Sequence, residues 1–531
     1  MRLPFRPGRA ALVALMVVAV SFAAGVIVAQ GQGTQVPTTF PTVQGQPFSE
    51  TPSLVSANGV LAIDLRVTAT TYTVAGTPIS GKAYDGRFIG PTLRVKQGDR
   101  IEMTFRNDLD QPTNIHFHGF RVSPSGISDN VLRTIPARTT APVRVDIPKD
   151  MEPGTYWYHS HQHGISEGQV MSGLAGVIVV QGEQRYLPPD LRGVTERVLA
   201  LKDLQAPNGA ALSAKINSNA PTTRTVNGLV NPVIPIQPDE TQLWRIANIS
   251  ADIWYRVQAD GMTFKVIGQD GSPMARVTTG TTLLLPPGKR YDVLVQGPAA
   301  GTYRLRTLRY NTGPAGDTYP ERTLATVASA GQPVQPADLP SGQSLPELLQ
   351  PDFAKAKVDR ERRITFSERG SRFLINGKQF NHDRVDHKVR LGDVEEWTIK
   401  NRSGEQHPFH IHVNQFQVMS VNGRSVPPSG LQDTVPLPVG GTVVIRMKFV
   451  EFTGKFVFHC HILNHEDHGM MAIVEVVEPK KKKGGRSVRD LPERPRAAES
   501  GAAPAARWPL RSAQDLLCPL PAVRAGLTAT A

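Results

Sequence analysis

Fourteen histidines stand in the 531-residue chain, and ten of them fall into four short clusters. These are His116 and His118; His159 and His161; His407, His410 and His412; and His459, His461 and His465. None lies between His163 and His382. Scattered core or surface histidines would not divide this way. Imidazole binds copper, zinc, iron and nickel, so the clusters point to metal without saying which. Four of the pairs have the form His-x-His. On a strand, residues i and i+2 share a face, so each pair can aim two rings into one space. The eight rings at 116, 118, 159, 161, 410, 412, 459 and 461 exceed what a single ion accepts. They fit several ions held at a junction between the two ends of the chain. Cys460 sits between His459 and His461 and so faces the opposite way. With His407, His465 and Met470 it supplies two imidazoles, a thiolate and a thioether, the ligand set of a blue-copper electron-transfer centre. Zinc rarely uses Met, and one Cys with two His would need a further partner. The peptide 459–461 then joins the two centres covalently.

The elements that must position these side chains repeat. Residues 93–107, followed by 115–122, resemble residues 233–248 followed by 254–257, and again 388–401 followed by 409–413. Each copy reads as a short strand, a Gly/Pro/Asp turn, an alternating strand, an Asn-containing turn and another alternating strand. Ile101, Met103 and Phe105 facing one way fit half-buried antiparallel strands. The end of the unit repeats too: residues 154–161 match 454–461, while the middle copy, 301–308, lacks metal-type residues. Turn-rich joints at this spacing predict a Greek-key sandwich or barrel. Three domains are expected at 48–183, 188–333 and 357–478, with a linker at 334–356.

Composition narrows the function classes. Two cysteines, Cys460 and Cys518, exclude a disulfide framework, an iron–sulfur protein and a Cys-rich zinc fold. The net charge of +13 belongs to the ends. Residues 480–531 hold eleven Lys/Arg against four acids, and Arg2, Arg6 and Arg9 open the chain. The body is nearly neutral, so no nucleic-acid partner is indicated. Three arginines before an apolar run over 10–29 predict an export signal or N-terminal anchor at 1–30. A flexible leader is expected at 31–47 and a disordered basic tail at 479–531.

The four clusters resemble the four copper signatures of the three-domain multicopper oxidases, the family of laccases, bilirubin oxidase and bacterial cuprous oxidases. The resemblance covers about residues 48–478. It implies an all-β chain of three consecutive cupredoxin-like Greek-key β-barrel domains and four coppers: one type 1, one type 2 and two type 3. By its motifs, His407, Cys460, His465 and Met470 match the type 1 ligands, and His116 and His410 the type 2 ligands. His118, His159, His161, His412, His459 and His461 match the type 3 pair. Ser160 stands where Cys460 stands in the third unit, so the first unit should hold no type 1 copper. Glu466 and Asp129 resemble the family's proton-relay acids on the type 3 and type 2 sides. Asp433 precedes a strand expected near the type 1 site, with a turn role as the alternative for the residue itself. The activity implied is one-electron oxidation of phenols or aromatic amines coupled to four-electron reduction of O2 to water. A metallo-oxidase acting on cuprous ion, or a non-catalytic copper-binding or interaction protein, are the alternatives. No Met-rich or His-rich tract is visible, which favours the organic substrates. The partners expected are O2 and a small reducing substrate, with membrane contact only if the N-terminal segment is uncleaved. An exported monomer, in the periplasm, cell envelope or medium, is expected.

Overall fold

The computed structural model describes residues 45–211, 216–342 and 352–479. The predicted export segment, most of the leader, part of the linker and the basic tail lie outside the described residues. Described secondary structure is almost all strand, in three domains each built on two main sheets, the second with a further two-stranded sheet; the all-β, three-domain plan is the one the sequence predicts. No helix among the described residues is long and apolar enough to cross a membrane.

In the first domain the site is carried by β1 (Thr92–Val95), β2 (His116–His118), β3 (Gly154–His159), helix α1 (Ser166–Ser172) and β4 (Ala175–Val180). Their sheet runs β1-β4-β3-β2, with Ser53–Val55 outside β1. The second domain contains β5 (Thr195–Leu204), β6 (Thr241–Asn248) and β7 (Arg290–Gln296), neighbours in a six-stranded sheet. The third contains β8 (His387–Arg390), β9 (His407–Ile411), β10 (Thr434–Leu437), β11 (Gly454–Cys460), α2 (Leu463–Asp467) and β12 (Met471–Val477). Its sheet runs β8-β12-β11-β9-β10, the same plan as the first domain with β10 added at the edge. In both, the first strand pairs in parallel with the last, β1 with β4 and β8 with β12. A parallel pair needs a crossover connection, which a simple meander cannot supply.

Alternation builds each core. Ile101, Met103 and Phe105 are buried while Glu102, Thr104 and Arg106 between them face solvent. Each domain has its own apolar cluster, centred on residues such as Phe105, Trp244 and Trp397. A further cluster joins domains: Trp157 and Met171 pack with Val198 and Ala247 of the second and Leu463 of the third. Such packing favours docking of the domains by roughly 25 cal/mol per Å2 of apolar surface buried. The chain ahead of the first strand crosses to the second domain, where Phe48 N–H donates to Val233 O at 3.0 Å.

Candidate metal centres

Strand register brings the pairs face to face. His116 lies opposite His159 across β2 and β3, and His410 opposite His459 across β9 and β11. The two sheets then meet, and all eight rings share one buried space, each at most 2% exposed. His116 stacks on His412 with centroids 3.8 Å apart, and His118 stacks on His410 at the same spacing.

Hydrogen bonds decide which nitrogen faces inward in several of the rings. Nδ1 of His159, His410 and His459 reaches a backbone carbonyl, those of Ser160, Asp433 and Cys460, at 2.8–2.9 Å. Nδ1 of His116 reaches the Asp129 carboxylate at 2.9 Å. An Nδ1–H held in this way leaves the Nε2 lone pair free. Nε2 of His116, His159 and His410 is buried with no hydrogen-bond partner among the described residues. Nε2 of His459 lies 3.2 Å from Nε2 of both His161 and His412. His118 is reversed: its Nε2 lies 3.1 Å from Asp433 Oδ1 and its Nδ1 lies 3.2 Å from His461 Nε2. Burial, and then neighbouring rings, push the pKa of His116, His118, His159, His412, His459 and His461 far below the ordinary value. His161 falls to about 4, again chiefly through burial. Neutral rings whose lone pairs converge without partners fit a cation and little else.

The rings fall into donor groups. His118, His159 and His461 form one triad and His161, His412 and His459 another, each with donor atoms within 4.8 Å of one another. His116 and His410 remain as a pair, and with His118 they make a third group of that size.

Cys460 points into the third domain's own core, away from these rings. Its Sγ is 3.4 Å from His407 Nδ1 and 3.6 Å from His465 Nδ1, and the two nitrogens are 3.2 Å apart. Met470 is fully buried in the same cluster, tied by its N–H to His465 O at 2.8 Å. Burial pushes the Cys460 thiol far above its ordinary pKa, so a thiolate there requires a bound cation. The first domain has no counterpart. Ser160 donates to Gln169 Oε1, which also accepts from Thr113 at 2.8 Å, so hydrogen bonds fill the equivalent space.

Glu466, on the first turn of α2, is fully buried. Its oxygens lie 3.1 Å from His459 Nδ1 and 3.4 Å from His161 Nδ1, and Ser166 Oγ donates to it at 3.2 Å. Asp129 is buried beside His116, and burial pushes its carboxyl up to about 8. His163, His382 and His468 are exposed, and His387 is half-buried beside Trp397.

Asp433 lies in the bend just before β10. The strand it precedes, β10, does pair with β9, Leu437 opposite His407. Asp433 itself sits at the other end of that pairing, next to Thr434 opposite His410, and its carboxylate touches His118 of the first domain. Sequence reading also passed over Glu368 and Glu405. Glu368 Oε1 is 3.0 Å from His407 Nε2, and Glu405 Oε1 is 3.1 Å from His465 Nε2. Neither carboxyl pairs with Lys or Arg among the described residues. Glu405 is two residues from His407 in sequence, but Glu368 arrives from a separate strand, and no local pattern announces it.

Models of the multicopper oxidase family match residues 66–185, 192–329 and 346–480. The chain belongs to the multicopper oxidase family. It is a copper-dependent oxidoreductase with O2 as acceptor, and its buried donor groups fit a four-copper arrangement. It is similar to a multicopper oxidase of Staphylococcus haemolyticus, 26% identical over 404 residues, covering 74% of this chain and 83% of that one. A laccase of Bacillus subtilis is 26% identical over 470 residues, covering 75% and 90%. Among solved structures, a multicopper oxidase from Campylobacter jejuni described as a metallo-oxidase superposes with a TM-score of 0.72 at 27% identity. It covers 84% of this chain and 99% of that one.

Proposed function

We propose that the protein is a laccase-like oxidase that takes single electrons from phenolic or aromatic-amine donors. In this reading His407, Cys460, His465 and Met470 hold a type 1 copper, and His116 and His410 a type 2 copper. His118, His159 and His461 hold one type 3 ion, and His161, His412 and His459 the other. Copper, when bound, supplies electron acceptance at the cysteine site and four-electron reduction of O2 to water at the histidine cluster. The observation that carries the reading is the division at one peptide: Cys460 faces one donor set while His459 and His461 face the other.

The chain's own groups support the choice of donor. His465 is the ligand nearest solvent, 7% exposed, with Phe373 stacked on it at 4.1 Å. A flat aromatic donor can extend that stack. Glu368 and Glu405 lie behind the rings of His407 and His465 and offer acceptors for an O–H or N–H group. Burial, and then the Glu368 charge, push Glu405 up to about 9, while the contact with His407 holds Glu368 below its ordinary range despite burial. Glu368 is thus the anion of the pair at neutral pH. At the other centre, Asp129 and Glu466 are proton carriers beside the rings they touch. Residues 1–30 support export by their arginines and apolar run.

The Glu368 carboxylate, the anion of that pair, supports a second reading, a metallo-oxidase that attracts cationic reductants. Oxygen uptake by the copper-loaded protein, measured with a panel of phenols, aromatic amines and cuprous ion, decides between them. Saturable uptake with the organic donors is expected, with a higher KM in Glu368→Gln. Uptake with cuprous ion alone would install the metallo-oxidase reading. No uptake with any donor would leave a copper-binding protein without turnover.

A further inference from the structure

The second domain holds no histidine, yet it reaches the cluster through one side chain. Arg290 opens β7 and is fully buried. Its Nη1 and Nη2 donate to Asp433 Oδ1 and Oδ2 at 2.9 and 2.8 Å. Two further donors, the second Nη1–H and Nε–H, go to Gly288 O at 2.9 Å and, in the first domain, Thr155 O at 3.1 Å. The fork therefore holds the carboxylate at two points and is itself held by two carbonyls. Asp433 Oδ1 also accepts from Thr434 Oγ1 at 2.8 Å and faces His118 Nε2 at 3.1 Å. Lys289, next in sequence, binds Asp270 at 2.8 Å and Thr434 O at 3.1 Å, which locks the turn carrying Asp433.

Among the eight cluster rings His118 is the one that turns Nδ1 toward its triad, so it must carry its proton on Nε2. A backbone carbonyl does this task for three of the other rings, but none is placed at His118 Nε2 among the described residues. Only the Asp433 carboxylate and, at 3.5 Å, Thr434 Oγ1 stand there. We infer that Arg290 is a positioning residue for the type 3 pair: through Asp433 it fixes His118 as the Nε2–H tautomer, with Nδ1 presented to the ion shared with His159 and His461. All three domains then meet at one hydrogen-bonded chain, Arg290 to Asp433 to His118. The inference rests on the ligand role proposed for His118.

The test uses the full chain. In copper-free protein, NMR of nitrogen-labelled histidine reads the tautomer of each ring, and His118→Gln identifies the His118 signal. Wild type is expected to show His118 as Nε2–H alone, and Arg290→Met a mixture of both tautomers. In copper-loaded Arg290→Met, the blue absorption of the Cys460 site should persist. Affinity at the pair should fall by about 10–100-fold, read as copper lost to graded chelator. An unmixed His118 signal with normal copper retention overturns the inference. So does equal loss from the blue site and the cluster, the result that undocked domains would give. If Arg290→Met does not fold, Arg290→Lys replaces it: a charge with one contact point in place of a fork should still mix the tautomers, and a wild-type signal overturns the inference. The tautomer is read without copper, so failure of the ligand assignment shows separately, as a wild-type chain that keeps the His118 tautomer and loads no type 3 pair.

Discussion

Single residues at this site act by which way an atom faces. Cys460 is the one thiol beside His407 and His465, and a hydroxyl is too hard and too weakly donating to replace it. Cys460→Ser is expected to lose the blue colour and essentially all turnover while still binding about three coppers per chain. Metal analysis beside a visible spectrum checks this, and retained blue absorption would refute the assignment. Glu466 touches His161 and His459 and one hydroxyl, Ser166. Glu466→Gln keeps the shape and removes the transferable proton. Oxygen reduction should slow by about 10²–10⁴-fold with reduction of the blue centre unchanged. Stopped-flow mixing with donor and then with O2 separates the two steps, and the reverse pattern would remove Glu466 from proton delivery.

At the scale of elements, the second domain presses its turns against rings it does not own. Gly288 has φ +84, and a Cβ there would stand 3.0 Å from both His118 Cε1 and His461 Cδ2. Gly288→Ala therefore adds backbone strain of about 1 kcal/mol and pushes on two rings of one triad. Copper per chain should fall at the cluster while the blue site stays full. Strand β5 shows a different economy. Lys202 is fully buried, its Nζ over the Phe88 ring and bonded to Met171 O at 3.1 Å, with no carboxylate bonded to it among the described residues. Burial lowers its pKa to about 8. The folded state thus sheds a proton that the unfolded chain keeps up to about 10.5, so stability rises with pH between those values. Below about 8 the burial cost is present in full. Lys202→Met should therefore raise stability at pH 7 by about 1–3 kcal/mol, and by less near pH 10. Thermal melts at the two values test the sign.

At the scale of the molecule, the metal sites differ in what holds them. The Cys460 site lies within the third domain, whereas the eight rings come half from the first domain and half from the third. Copper at the cluster is linked to domain docking, so it stabilises the whole by mass action. Exhaustive chelation should lower the thermal midpoint by several degrees without loss of secondary structure, since three separate apolar cores remain. A midpoint indifferent to copper would mean that docking and metal binding are uncoupled.

The ring clusters and the threefold strand unit were legible because strand geometry is local: a period of two and a His-x-His pair need no tertiary information to share a face. The same rule turned Cys460 away from its neighbours. The separation of a cysteine site from an eight-ring cluster and the histidine-free middle domain could thus be read from the chain alone, whereas the division of the eight rings among ions came only with the family resemblance. Tertiary structure alone decided which nitrogen each ring presents, because that depends on what accepts the other N–H. It also brought Glu368 to His407 and Asp433 to His118, and it gave Arg290 a place beside the cluster. Those contacts join residues tens to hundreds of positions apart, and a buried hydrogen bond across such a distance leaves no periodic trace in sequence.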